Sequence, residues 1–380
     1  MSTGSSRIEG NGGWPLGSLS CGRIREGGLG MSDDSKPTHK DETILELEDL
    51  RVWFPVHGGI LSRHVGDVKA VDGISLKVHA GETLGVVGES GCGKSTLGKA
   101  IMGLVPVTSG KIHFASERGN VELSGLSRRD YRPYRSEIQM VYQDPFSSLN
   151  PRLSVQEIVE EPLRVHQKQL DAEQRRIRVE ELLEKVGLRR EQAERYPHEF
   201  SGGQRQRIGI ARSLATNPRV IIADEPVSAL DVSIQAQVIN LMRELQRDLD
   251  LTIVFIAHDI SVVQHVSDRV AVMYLGNLAE VGKTEEIFAN PTHPYTRALL
   301  SAIPRPDPDL KREKRWVLEG DVPSPMAKPS GCGFRTRCPI AQADCAEKAP
   351  VMQAVSAEHA AACPHAGRFD ELIQERQPKG

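Results

Sequence analysis

The sequence contains no uninterrupted apolar run approaching the roughly 18–20 residues that cross a bilayer, so any membrane role has to come through a partner. It also lacks a basic excess. Its 48 Lys+Arg against 51 Asp+Glu leave a net charge of −3, the wrong balance for a nucleic-acid binder. Residues 1–40 hold no apolar segment of the sort a secretory signal requires; rich in Gly, Ser and charge, they read as a disordered tail. Met31, followed by "SDDSKPTHKDE", offers a second place for translation to begin. No internal repeat is evident. Cysteine is scarce: Cys21 and Cys92 stand alone, while Cys332, Cys338, Cys345 and Cys363 cluster near the C-terminus. With no export signal, a reducing compartment disfavours structural disulfides and favours a metal or cluster for that quartet.

What is present suits a soluble α/β protein. A chain of 380 residues holds one large domain plus a smaller one. "ILELEDLRVWF" and "VKAVDGISLKVHAGE" alternate as antiparallel strands joined by a Gly-containing loop. "TLGVVG", "EIQMVYQ", "RVIIAD" and "LTIVFIAH" are short apolar runs of the kind buried on both faces of a parallel sheet. From Ser154 to about Tyr196 the pattern turns helical and charged, as a helical insertion, and a further helix starts near Val232. "RVAVMYLGNLAEVG" predicts a hairpin turning at Gly276–Asn277. The expected organisation is a tail over 1–40, a cassette over 41–302 with its insertion at about 150–215, a proline-rich linker over 303–330, and a cysteine-bearing segment over 331–380.

The chemistry is carried by "GESGCGKST". It fits G-x-x-x-x-G-K-[ST] between a predicted strand and a predicted helix, the setting that identifies a P-loop. Backbone N–H groups of Gly88, Glu89, Ser90, Gly91, Cys92 and Gly93 can close on phosphates where glycine removes the Cβ. Lys94 supplies a cation to the β- and γ-phosphates, and Ser95, followed by Thr96, a hydroxyl for Mg²⁺. "RVIIADEP" ends a strand in two acids: Asp224 suits a Mg²⁺ contact through water, and Glu225 is placed to polarise an attacking water. Gln143 and His258 end two other predicted strands, where ligands of open α/β sheets bind. A lone histidine more often packs or caps, but this position favours function. A second anion-binding helix start, "FSGGQRQRIGIAR", lies far downstream.

This ordered set, "GESGCGKST", "YQDP", "SGGQ", "ADEP", "SALD" and "AHD", resembles the nucleotide-binding subunit of an ABC transporter over about Ile44 to Ala302. The resemblance implies an ABC-type P-loop NTPase with a parallel core sheet, an N-terminal antiparallel β-subdomain and a helical insertion. It also implies two cassettes packed head to tail, each ATP lying between one P-loop and the other's signature. Ser201, Gly202, Gly203 and Gln204 would then approach ATP held by the partner, with Asp231 at the same interface. Glu225 resembles the family's general base, His258 its γ-phosphate switch, and Gln143 the residue coupling Mg²⁺ to the insertion. Phe54 falls near the position of an adenine-stacking aromatic. Strand alternation points Trp53 to the opposite face.

"YQDPFSSLNPRLSV", "DEPVSALDVSIQAQVINLM" and "HPYTRALLSAIP" look like the ATPases of dipeptide and oligopeptide importers, and most like the second of their two ATPase subunits. That likeness implies a heterodimer with a related cassette, two membrane-spanning permease subunits, an extracytoplasmic peptide-binding protein and a peripheral place at the cytoplasmic face. Nickel and glutathione importers share the style, and a soluble ABC ATPase is the remaining rival. Two cassettes in one chain, a long coiled-coil insertion and a zinc-binding insertion, which mark soluble ABC ATPases, are missing.

The C-terminal cysteines follow C-x5-C-x6-C-x17-C. That lacks the C-x2-C of zinc ribbons and the C-x2-C-x2-C run of small ferredoxins. Their spacing leaves a metal or cluster, free thiols and disulfides open. Resemblance to the importer C-terminal segment suggests a [4Fe–4S] cluster, with Zn²⁺ and His359 or His365 the runner-up. Cys92, beside Lys94 and a helix N-terminus, is expected to have a lowered thiol pKa and to react with alkylating agents unless nucleotide protects it.

Overall fold

A computed structural model describes residues 42–58, 62–303, 318 and 320–376. The expected N-terminal tail, with the question of a start at Met31, lies outside them, as do residues 304–317 and 319 of the expected linker. The described strands are, in chain order, β1 (Thr43–Gly58), β2 (Arg63–His79), β3 (Thr83–Val87), β4 (Ser109–Ser116), β5 (Gly119–Glu122) and β6 (Ile138–Val141). They continue as β7 (Val220–Asp224), β8 (Thr252–Ala257), β9 (Arg269–Tyr274), β10 (Asn277–Lys283), β11 (Gln353–Ala354) and β12 (Ala360–Ala361).

β1 buries Leu45 and Leu47, then Leu50 and Val52. The change of parity falls at a register shift between Leu47 and Leu50, where Asp49 takes φ 45°. An extra residue in one strand is what lets both pairs reach the same core. β1 and β2 pair antiparallel and join β4 and β5 in a four-stranded sheet ordered β2-β1-β4-β5.

The second sheet is ordered β11-β12-β10-β9-β3-β8-β7-β6. Its pairs β6–β7, β7–β8, β3–β8 and β3–β9 are parallel. Every residue of β3, β7 and β8 is buried, as expected for strands covered on both faces. Alternate side chains divide between two cores. Ile221, Ala223, Ile253 and Phe255 pack with helical residues such as Val159, Leu183 and Ile210. Ile222, Val254 and Ile256 pack with Leu45, Leu47, Ile74 and Ile112 of the antiparallel sheet. Because β6, β7, β8, β3 and β9 run parallel, the loops after β3, β6, β7 and β8 emerge at one edge, which is where the site is built.

Helices Val155–His166 and Ala172–Lys185 each begin at a reciprocal capping box, Ser154 with Glu157 and Asp171 with Gln174. Among the described residues no helix is long and apolar enough to cross a membrane.

One expectation about the fold needs correction. The β9–β10 hairpin turns at Leu275–Gly276, one residue earlier than Gly276–Asn277. A two-residue turn of this twist needs φ > 0 at both centres, and Leu275 at 46° and Gly276 at 78° supply it. Burial of the Leu275 side chain, 3% exposed, holds it there, while Asn277 is already paired with Tyr274. The parallel core sheet is as expected, and it is extended on one side by antiparallel strands: β10 is antiparallel to β9, and β12 to β10.

Through β12 the cysteine-bearing segment is part of the core sheet. A buried carboxylate secures that junction. Glu280 on β10 accepts from Thr292 N–H and Oγ1, both at 2.7 Å, and from His293 N–H at 3.2 Å. It also pairs with His359 Nε2 at 2.7 Å. Burial alone would raise its pKa, but the hydrogen bonds from His359 and Thr292 outweigh it and hold Glu280 below the usual carboxylate range.

Candidate functional site

The loop between β3 and the helix Lys94–Ile101 is shaped by close backbone approaches. A Cβ at Gly93 would lie 2.0 Å from the Ala70 carbonyl oxygen, and one at Gly88 would lie 2.2 Å from that of Met273. Gly93 takes φ 107° and caps the helix. Glycine is required at both places by packing. Glu89 is part-buried, Ser90 and Gly91 are exposed, and Ser95 and Thr96 are part-buried in the first helical turn.

Lys94, 4% exposed, donates from Nζ to Gly88 O at 2.7 Å and Glu89 O at 3.1 Å. Its cation is thereby held over the loop. Ser95 Oγ donates to Asp224 Oδ1 at 2.7 Å, across 129 positions of sequence. Two hard oxygen donors side by side are the chemistry Mg²⁺ takes, so this pair fits the ion. Burial, only partly offset by the Ser95 hydrogen bond, pushes the Asp224 carboxyl above the usual range.

Beyond the strand ends, three more expected residues come together. Gln143 lies two positions past β6, which ends at Val141, so the predicted strand overran. Its Nε2 donates to Glu225 Oε2 at 2.8 Å. His258, directly after β8, brings Nδ1 to 3.4 Å from the same oxygen. Glu225 itself takes φ 46° and donates its N–H to Ile256 O at 3.0 Å. A non-glycine residue in this conformation is uncommon, and such residues cluster at functional sites. Nothing local in "ADEP" announces it.

The second helix start is built differently. Ser201 caps the helix Gly202–Leu214, accepting from Gln204 N–H, while Gln204 Oε1 accepts from Ser201 N–H at 3.1 Å. Ser201 is exposed. A Cβ at Gly203 would lie 2.4 Å from Ile234 Cγ2, and one at Gly202 3.4 Å from Leu230 Cδ2. The two glycines thus seat this cap against the chain on either side of Asp231, which is exposed at the start of the helix Val232–Leu249. Among the described residues, the hydrogen bonds of Ser201 and Gln204 stay within the cap.

Phe54 is half-buried against the core that includes Leu45, Leu47 and Ile74 of the antiparallel sheet. A register shift separates Val52 from Trp53. Trp53 Nε1 donates to Asp72 Oδ1 at 3.1 Å, and the Lys69 ammonium lies 4.6 Å from its ring centroid.

Cys92 reverses its expectation. It is 4% exposed, and burial pushes the thiol up against the pull of Lys94, whose Nζ lies 3.9 Å from Sγ. A protonated, enclosed thiol is a poor nucleophile.

The four C-terminal cysteines line one small cavity, and the five described cysteines are all unbridged. Burial pushes Cys338 and Cys363 up to about 12 and raises Cys332. The one trio of metal-ligating side chains with donor atoms within 4.8 Å, among the described residues, is Asp344, Cys345 and His365. No three of the four sulfurs come that close. His365 lines the cavity and reaches Asp344 Oδ1 at 3.1 Å. His359 does not line it, because Glu280 holds it elsewhere.

Sequence reasoning passed over Tyr295 and Arg337, which touch Glu89 of the phosphate loop. Tyr295 lies in "HPYTRALL" and Arg337 in "TRCP", where no spacing marks either one.

A family model described as "ABC transporter" matches residues 71–228. One described as "Oligopeptide/dipeptide transporter, C-terminal region" matches residues 279–345. The oligopeptide transport ATP-binding protein OppF of Salmonella typhimurium is 53% identical over 325 residues, 85% of this chain and 96% of that protein. The oligopeptide transport ATP-binding protein AppF of Bacillus subtilis is 55% identical over 325 residues, 85% and 97% of the two chains. Among solved structures, the dimeric post-hydrolysis state of the ATP-binding cassette MJ0796 bound to ADP and Pi aligns with a TM-score of 0.56 at 28% identity. It covers 63% of this chain and 99% of that one.

Proposed function

Because this chain belongs to the ABC-transporter ATP-binding subunits of the oligopeptide and dipeptide importer family, we propose that its ATP sites are composite, shared head to tail with a second, related cassette. It binds and hydrolyses ATP to energise a peptide importer. Its partners are that second ATPase, two membrane-spanning permease subunits and an extracytoplasmic peptide-binding protein, and it sits peripherally at the cytoplasmic face. We assign the cassette to 41–302, its helical insertion to about 150–215, the linker to 303–330 and the cysteine segment to 331–380.

One observation carries the reading. Lys94, the Ser95–Asp224 pair and the Gln143–Glu225–His258 cluster share one sheet edge, whereas the exposed Ser201 cap bonds only to itself. Lys94 and the loop N–H groups hold the β- and γ-phosphates. Ser95, with Asp224 through water, would hold Mg²⁺, which when bound would offset phosphate charge. Glu225 takes the proton of the attacking water, and Gln143 and His258 orient its carboxylate. The Ser201–Gln204 cap and Asp231 complete the partner's site, with the cap's N–H groups facing a γ-phosphate. Phe54 provides a face for adenine.

Turnover per subunit should therefore rise with protein concentration and rise again when the second cassette is added. A rate per subunit that stays constant on dilution would remove the shared site. Co-purification of permease and binding protein from detergent extracts checks the partners.

We further assign a [4Fe–4S] cluster to Cys332, Cys338, Cys345 and Cys363. A tetrahedral zinc with Zn–S bonds of about 2.3 Å needs sulfurs about 3.8 Å apart, closer than any three of these lie. Four thiolates on the separate irons of a cluster stand wider. When bound, the group would tie the turn 332–338 to Cys345 and Cys363 in a structural role. Protein purified anaerobically should carry iron and sulfide and absorb broadly in the visible. Stoichiometric zinc without iron would replace the cluster by the metal.

A further inference from the structure

The cysteine-bearing segment reaches the phosphate loop through the side chain of Arg337. Arg337, directly before Cys338, pairs with Glu89 in a fork: Nη1 to Oε2 at 2.7 Å and Nη2 to Oε1 at 3.0 Å. Nη1 also lies 3.5 Å from the Tyr274 hydroxyl. The arginine side chain is 7% exposed and that of Glu89 25%. Two parallel charge-assisted bonds fix orientation as well as distance.

Both partners are rigidly mounted. Arg335 N–H donates to Cys332 O at 3.1 Å and Arg337 N–H to Phe334 O at 3.0 Å, so the arginine stands on a turn bounded by two of the cysteines. Phe334 anchors that turn, its ring centroid 5.2 Å from Tyr274 and 5.4 Å from Tyr295. Tyr295 is fully buried, and its hydroxyl accepts from Glu89 N–H at 2.9 Å. Glu89 is thus held by side chain and backbone from one aromatic and arginine cluster. Its carbonyl in turn accepts from Lys94 Nζ. The end of the linker just before this segment grips the first sheet, with Lys328 Nζ 2.9 Å from Asp72 Oδ2, the carboxylate that also takes the Trp53 indole.

We propose that Arg337 is a positioning residue for ATP binding: it neutralises and holds Glu89, making the phosphate loop's geometry depend on the seating of the Cys332–Cys338 turn. A bare carboxylate one residue after Gly88 would face the phosphates with the wrong sign. With the arginine in place that charge is cancelled and the loop carbonyl that receives Lys94 is fixed. The inference rests on ATP occupying this loop.

The test uses the full chain together with its partner cassette. Arg337→Gln should raise KM for ATP, and the dissociation constant of a fluorescent ATP analogue, by about tenfold, the scale of one lost charge-assisted contact. The effect should fall on KM and not on kcat, and it should shrink as salt screens the freed carboxylate. Arg337→Lys should recover part of the loss, since an ammonium cancels charge but cannot make the fork. Adding Glu89→Gln to Arg337→Gln should lower KM from the single-variant value, because the repelling carboxylate is gone. Melting temperature and metal content of each variant separate this from unfolding of the segment. A KM within twofold of wild type in Arg337→Gln, or losses that multiply in the double variant, would overturn the inference. Wild-type binding abolished by Lys94→Ala but indifferent to Arg337 rejects the positioning role alone. Wild-type binding indifferent to Lys94→Ala rejects ATP at this loop.

Discussion

Glu225→Gln should slow ATP hydrolysis by about 10²–10⁴-fold, the range general-base catalysis supplies, and leave nucleotide binding near its wild-type level. The substitution keeps the shape and the hydrogen-bonding reach of the side chain. What disappears is an anion that can take a proton. Geometry explains why no neighbour can replace it. Asp224 is already engaged by Ser95 and turned into the sheet edge, 5% exposed. His258 and Gln143 both address Glu225 Oε2, at 3.4 Å and 2.8 Å, and so act through the same carboxylate. The left-handed backbone at Glu225, tied to Ile256 O, fixes the direction in which the side chain leaves the strand. Single-turnover hydrolysis and equilibrium binding, measured on one preparation, separate the two effects. Turnover within threefold of wild type would take Glu225 out of the proton-transfer step.

Ser201→Arg should act across the subunit boundary. The mutated chain should bind ATP at its own P-loop as before, while hydrolysis at the partner's P-loop falls by about 10²–10³-fold, the scale of a lost transition-state donor. Serine here does two things. Its Oγ accepts from Gln204 N–H, and its small size leaves the other N–H groups of the first turn open to an anion. Arginine removes the cap, at a cost of about 1 kcal/mol, and fills the opening with a long side chain. Gly202 and Gly203 press the cap onto Leu230 and Ile234, so it cannot swing away. Hydrolysis measured separately at each site of the mixed dimer decides the point. A deficit confined to the mutant's own P-loop would mean that one chain folds both cradles onto the same nucleotide.

The parts of this molecule that could be read in advance are local. "TLGVVGESGCGKST" gives β3, the loop and the helix Lys94–Ile101 because a buried strand, glycines under steric demand and a helix start all leave marks within a few residues. Capping boxes at Ser154, Asp171 and Ser201 are equally local. Errors arose where a distant neighbour decided the outcome. Cys92 sits beside Lys94 and a helix N-terminus, which argues for a thiolate, but residues from other elements enclose it and desolvation wins. The β9–β10 turn moved by one residue because Leu275 is drawn into the core, a preference no turn rule contains.

Sequence alone determined the kinds of groups available: a lysine and serine on a glycine loop, paired acids after an apolar strand, a serine cap before two glycines, and four clustered thiols. Each is a short-range pattern, set by steric and hydrogen-bonding demands within a turn or two. Only the tertiary structure decided who meets whom. Parallel strands bring Gln143 to Glu225 across 82 positions, and the packing of the cysteine-bearing segment, tied to the sheet through β12, lets Arg337 meet Glu89 across 248. Such encounters depend on sheet order and burial, which are properties of the packed chain and leave no trace in the spacing of residues along it.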